Sequence, residues 1–93
     1  MESQTFDNVW DALTDTPAES ANMTARSDLL LALQRTIGGW EVTQEVAAKR
    51  LGITRPRISD LLAGKISKFS LDALVNLATA AGLTVHIRLG EAA

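Results

Sequence analysis

The spacing of apolar residues predicts a mainly helical chain, beginning with a short segment near the N-terminus. Four large apolar residues there fall at positions i, i+3, i+4 and i+7, on one face of a helix: Phe6, Val9, Trp10 and Leu13. An isolated helix of this length is marginal in water. We therefore treat residues 1–15 as an arm, or short helix, that precedes a domain spanning residues 16–93.

The domain begins with a clear helix start. Thr16 is a suitable N-cap, Pro17 suits the first helical position, and Glu19 completes a capping box. The low helix propensity of residues 22–24 leaves a later start open. Helical spacing then predicts a long helix that ends at the glycine pair 38–39 and has an apolar face made of Leu29, Leu30, Leu33 and Ile37.

Residues 43–64 have the residue order of a helix-turn-helix motif. Two helices that cross at about 90–120° must approach closely. Ala48 permits that approach, and Gly52 permits the positive φ of a tight turn. Ile58 and Leu61 lie one helical turn apart and are expected to hold the angle. The ends of the two helices are marked by Thr43, Thr54, Pro56 and Gly64.

The C-terminal part predicts one more helix and then a strand. Ser70 is suited to cap a helix that ends at Gly82, and residues 83–89 alternate between apolar and polar, as in a half-buried strand. Because the other elements are helical, we expect this strand to pair with its copy in a second subunit, through Val85, Ile87 and Leu89. The predicted fold is therefore mainly α: a helix-turn-helix bundle of four to five helices with a short C-terminal β-strand paired across a dimer.

The second helix of the motif has a distinct outer face. At about 100° per residue, Ile58 and Leu61 face inward while Arg55 and Arg57 stand at the leading edge. A recognition helix presents its N-terminal residues to the major groove, and arginine is the commonest reader of guanine. We predict base contacts from this arginine pair. The other predicted DNA-binding residues are Gln44, Thr54, Pro56, Ser59, Asp60, Lys65 and Lys68.

Charge is distributed unevenly along the chain. The formal net charge is −2, which by itself argues against a nucleic-acid partner. However, residues 1–42 carry −5, residues 43–69 carry +4 and residues 70–93 carry −1. The predicted motif therefore coincides with a local basic patch that can contact phosphates.

Composition excludes several classes of protein. The chain has no cysteine, so disulfides and thiolate metal sites are absent, and His86 is its one histidine. We expect no catalytic site, no metal and no cofactor, because no nucleophile or ligand cluster has a recognisable spacing. The sequence has neither an apolar run of about 18 residues nor a signal peptide, which predicts a cytoplasmic protein. The lack of a recognisable catalytic site predicts that it is not an enzyme.

The motif resembles the Xre (Cro/C1-type) DNA-binding domains, and the longer pattern resembles the HigA-like antitoxins. The segments that carry the likeness are residues 26–33, 40–44, 57–65 (Arg-Ile-Ser-Asp-Leu-Leu-Ala-Gly-Lys), 68–72 and 85–89. The resemblance implies a transcriptional autorepressor that also neutralises a RelE/HigB-like mRNA endonuclease toxin. The motif and its basic patch, in a twofold dimer, predict an inverted-repeat operator. Because RNA-handling toxins are usually basic, the acidic N-terminal part predicts a toxin-binding arm formed by Phe6, Val9, Trp10 and Leu13.

Two other functions remain open from the residues alone. Phage-type regulators share these motifs, so a stand-alone prophage repressor without a toxin is one alternative. The other is a protein-interaction module with a degenerate helix-turn-helix. The basic residues Arg55, Arg57, Lys65 and Lys68 argue against that module, since it needs no basic face. For the arm, packing against its own domain is the alternative to toxin binding.

Overall fold

The computed structural model describes residues 16–91. Within that range the fold consists of α-helices and one short 3-10 turn. The helix predicted over residues 6–13, with its toxin-binding residues Phe6, Val9, Trp10 and Leu13, lies outside the described residues. The elements in chain order are α1 (Pro17–Trp40), α2 (Gln44–Leu51), α3 (Arg55–Leu62), the 3-10 turn (Ile66–Lys68) and α4 (Leu71–Ala80).

Helix α1 starts where the sequence predicts but ends later. The Thr16 hydroxyl oxygen accepts a hydrogen bond from the Glu19 backbone N–H at 3.0 Å. The predicted end at the glycine pair 38–39 is wrong, since the helix continues to Trp40 and stops at Glu41, whose φ is +54°. Trp40 packs against the core. This extra burial outweighs the cost of about 1 kcal/mol for each helical glycine.

The core lies where α1 crosses the other helices. Its largest fully buried side chains come from α1, α3, α4 and the residue that follows the 3-10 turn, so the core joins these four parts of the chain. The buried apolar residues are Leu30, Leu33, Ile37, Ala47, Ala48, Leu51, Ile58, Leu61, Phe69, Leu74, Leu77 and Ala78.

Arg26 is a buried charged residue that the sequence analysis missed. It is 9% exposed. Its Nε donates to Asn22 Oδ1 at 2.7 Å, and its Nη1 donates to the backbone oxygens of Ile66 and Phe69 at 3.4 and 3.3 Å. The guanidinium thereby ties α1 to the 3-10 turn. The sequence does contain a sign of this burial, because Arg26 precedes Leu30 by one helical turn and therefore lies on the apolar face of α1.

The strand predicted over residues 83–89 is absent from the described chain. The Leu83 N–H donates to Ala78 O at 2.9 Å and closes α4. Alternating burial continues only as far as Val85, while Ile87 and Leu89 are 80% and 93% exposed. The physical reason is that the other described elements are helical, so one copy of this chain offers no strand edge with which the segment can pair.

Candidate nucleic-acid interface

Helices α2 and α3 form a tight helix-turn-helix. The Thr43 hydroxyl accepts from the Val46 N–H at 3.2 Å, and the Thr54 hydroxyl accepts from the Arg57 N–H at 3.3 Å. Between the helices, Gly52 has a φ of +73°, which an L side chain rarely adopts. Ala48 is buried where the helices meet. The caps and the turn are confirmed as predicted.

The outer face of α3 is also as predicted. Ile58 and Leu61 are fully buried and hold α3 against the core. This fixes Arg55, Pro56 and Ser59 on the exposed side. Thr54 and Gln44 are exposed at the N-terminal ends of α3 and α2 respectively. The free N–H groups of such helix ends can bind phosphate oxygens.

Arg57 is engaged within the protein, unlike Arg55. Its guanidinium carbon lies 4.0 Å from the centroid of the Phe69 ring. Its Nη1 donates to the backbone oxygen of Lys68 at 2.7 Å. Arg57 is half-buried by these contacts, whereas Arg55 is exposed and its side chain makes no hydrogen bond or ion pair with the described residues. The two arginines are therefore not equivalent, although sequence reasoning paired them.

A small ion-pair cluster follows α3. The Asp60 carboxylate lies 3.5 Å from Lys65 Nζ through one oxygen and 3.5 Å from Lys68 Nζ through the other. Both lysine side chains are about half exposed. Exposed pairs of this kind contribute about 0–1 kcal/mol, so a DNA phosphate can replace Asp60 as their partner at little cost. The carboxylate meanwhile keeps both ammonium groups beside α3.

Gln34 on α1 is a further positioning residue that the sequence analysis did not identify. Its Nε2 donates to the backbone oxygens of Leu61 and Leu62 at 3.2 and 3.3 Å. These carbonyls belong to the last turn of α3, and Leu61 O also accepts from the Gly64 N–H at 3.1 Å. The next turn of chain passes through Gly64, whose φ is +77°. Gln34 thus fixes the C-terminal end of α3, and the N-terminal end of α3 is exposed.

Other chemistry has little support on the described surface. Across residues 16–91 no three His, Cys, Asp or Glu side chains lie close enough together to hold a metal ion. His86 is exposed on the C-terminal segment, remote in sequence from α2 and α3. In the same part of the chain, none of the helices combines the length and apolar character needed to cross a bilayer.

Comparison with known proteins agrees with this geometry. A family described as "Helix-turn-helix domain" matches residues 12–90. A solved structure named "Putative XRE Family Transcriptional Regulator" is similar to this chain, with 30% identity and a TM-score of 0.72 over 80% of this chain and 83% of that one. No curated protein matches the sequence significantly.

Proposed function

Since the chain belongs to the XRE family of helix-turn-helix DNA-binding transcriptional regulators, we propose that it represses its own promoter and serves as the antitoxin of a toxin–antitoxin pair. The observation that carries the DNA-binding part is the exposed N-terminal edge of α3, where Arg55 lies beside a basic patch. The finer role of antitoxin is supported by the resemblance to HigA-like proteins and by the acidic N-terminal part.

The geometry supports different roles for the individual basic residues. Arg55 can extend to a base edge, where an arginine fork recognises guanine. Arg57 positions the chain that follows α3, because it holds Phe69 and the Lys68 carbonyl. Lys65 and Lys68 then meet phosphates on the flank. The remaining proposed contacts, Gln44, Thr54, Pro56 and Ser59, lie exposed at the ends or outer faces of α2 and α3.

Arg55→Ala is expected to weaken binding to the specific operator by about 1–3 kcal/mol and to relax sequence preference. Lys68→Ala should instead weaken all duplexes alike and reduce the salt slope by about one. Fluorescence anisotropy with the chain's own promoter and a scrambled duplex, at several salt concentrations, separates the two effects. If Arg55→Ala lost the same affinity for both duplexes, Arg55 would not be a residue that contacts bases.

The toxin partner is tested by removing the arm. Deleting residues 1–14 is expected to abolish neutralisation of a basic toxin encoded next to this gene while leaving operator binding intact, since the arm lies outside the helix-turn-helix. Co-expression growth assays and gel shifts on the same variant measure the two functions. If the truncated chain still rescued growth, the arm would not be the inhibitory element. If the full chain rescued no growth either, a stand-alone repressor would be the better interpretation.

We further propose that two copies associate through residues 83–89. Ile87 and Leu89 are large apolar side chains left strongly exposed in a single copy, and residues 84–91 donate no backbone hydrogen bond within the described part. Antiparallel pairing with a second copy would satisfy these groups and bury both side chains. Two recognition helices related by a twofold axis then suit half-sites about 34–36 Å apart.

Ile87→Pro is expected to shift the protein toward monomer and to abolish cooperative operator binding, because proline removes a ladder donor as well as the apolar side chain. Ile87→Ala is the matched control, since it keeps the N–H and should weaken association less. Sedimentation velocity measures both. An unchanged dimer for Ile87→Pro would place the interface elsewhere, with α4 as the next candidate.

A further inference from the structure

A single acidic residue, Asp60, lies on α3, the helix that carries the proposed base contact. It follows Pro56 by one helical turn and therefore shares the outer side of α3. A carboxylate on this side is repelled by DNA phosphates. In the last turn of a helix it is also unfavourable to the helix dipole. Neither attraction to DNA nor helix stability therefore accounts for a carboxylate at this position.

The backbone holds both lysine partners of Asp60 in place. The Lys65 N–H donates to the Asp60 backbone oxygen at 3.1 Å, and the Lys68 N–H donates to the Lys65 oxygen at 3.0 Å. Arg57 in turn holds the Lys68 carbonyl. The two ammonium groups thus meet one carboxylate, each at a different oxygen. A DNA phosphate also carries one negative charge on two free oxygens, so it offers these lysines what Asp60 already offers.

We propose that Asp60 is an intramolecular competitor of DNA phosphates, which lowers the affinity of this surface for every duplex. The proposal rests on the DNA-binding function proposed above. Binding requires both ammonium groups to exchange the carboxylate for a phosphate, and it leaves Asp60 as an unpaired anion beside DNA. An exposed ion pair of this kind changes an equilibrium constant by up to about fivefold. Asp60 thereby limits the sequence-independent part of binding, so that base contacts from Arg55 form a larger share of the total.

Asp60→Asn is expected to raise affinity for the promoter duplex and for a scrambled duplex by the same factor, about 3- to 10-fold at low salt, because asparagine keeps the shape and frees both lysines. The salt slope should steepen by about one, since the unaltered chain takes up a cation at Asp60 when DNA binds. Asp28→Asn is the matched control for net charge. Asp28 is exposed on α1 and lines a groove formed with α4 and the C-terminal segment, so we expect a change of less than about twofold. Fluorescence anisotropy measures all three proteins.

Removing the lysines tests whether the competition is local. In a chain that carries Lys65→Ala and Lys68→Ala, Asp60→Asn should change affinity no more than Asp28→Asn does, because the carboxylate no longer has ammonium groups to withhold. An undiminished gain in that chain would mean that Asp60 only repels DNA as an isolated charge, and would overturn the proposal.

Three other results would also contradict it. If Asp60→Asn lost affinity for the promoter duplex alone, Asp60 would be a base reader, since a carboxylate accepts from cytosine N4. An effect no larger than that of Asp28→Asn would show that the ion pairs do not compete with phosphates. If the unaltered chain bound neither duplex in a salt-dependent manner, the DNA-binding function itself would fail, and this result is distinguishable because it precedes any substitution. Thermal melts verify that each variant remains folded.

Discussion

Phe69→Ala is expected to lower the free energy of unfolding by about 3–5 kcal/mol. Phe69 is 1% exposed and is the largest of the fully buried side chains. Its ring also lies under the Arg57 guanidinium. A domain of this size has about 5–15 kcal/mol of stability in total, so the variant should lose a large part of it. Urea denaturation followed by circular dichroism measures the change.

Phe69→Leu separates the packing contribution of this residue from its contact with Arg57. Leucine fills much of the same space, so we expect a stability loss of only about 1.5 kcal/mol or less, yet it has no ring face for the guanidinium. Operator affinity should then fall while the domain stays folded. A small loss of stability for Phe69→Ala, close to that of Phe69→Leu, would show that the core relaxes to fill the cavity.

Arg26→Ala has the second largest expected effect, a loss of about 1.5–3 kcal/mol. The variant leaves the part-buried Ile66 carbonyl and the buried Phe69 carbonyl without their charged donor. Arg35→Ala is the matched control, because Arg35 is an exposed arginine on the same helix, and such substitutions stay within about 0.5 kcal/mol. Thermal melts of both variants measure the difference, and equal melting temperatures would mean that Arg26 has no structural role.

Both substitutions should also reach the DNA-binding surface. Arg26 and Phe69 hold the 3-10 turn from inside the protein, and Lys68 lies at the end of that turn. A displaced turn would move Lys68 away from Asp60. If Lys68 contacts a phosphate as proposed, these substitutions should lower stability and weaken DNA binding together.

The helix starts and the central turn were predictable because their causes are local. Thr16, Thr43, Thr54 and Ser70 each accept a hydrogen bond from a backbone N–H three residues ahead. A cap of this kind depends on residues that are neighbours in sequence. The positive φ of Gly52 is likewise a property of a single residue. Apolar spacing alone placed Ile58 and Leu61 in the core.

The predictions that failed depended on groups distant in sequence. The end of α1 was placed too early because the burial of Trp40 beside the core outweighs a local preference for stopping at glycine. Residues 83–89 have the alternation of a strand, yet a strand exists only where a second edge supplies its hydrogen bonds. The described chain provides no such edge, so a local pattern was insufficient.

The sequence by itself determined where the helices begin, how the motif turns and which face of α3 is buried, since capping, φ preferences and periodicity act over a few residues. Only the tertiary structure decided that Arg57, and not Arg55, is engaged by other described residues. It brought Arg26 to a carbonyl 43 residues away, Gln34 to one 27 residues away and Arg57 to one 11 residues away. The residues next to an arginine in the sequence do not show which groups its guanidinium will contact. Its role depends on which acceptors and rings the folded chain brings within about 3–4 Å.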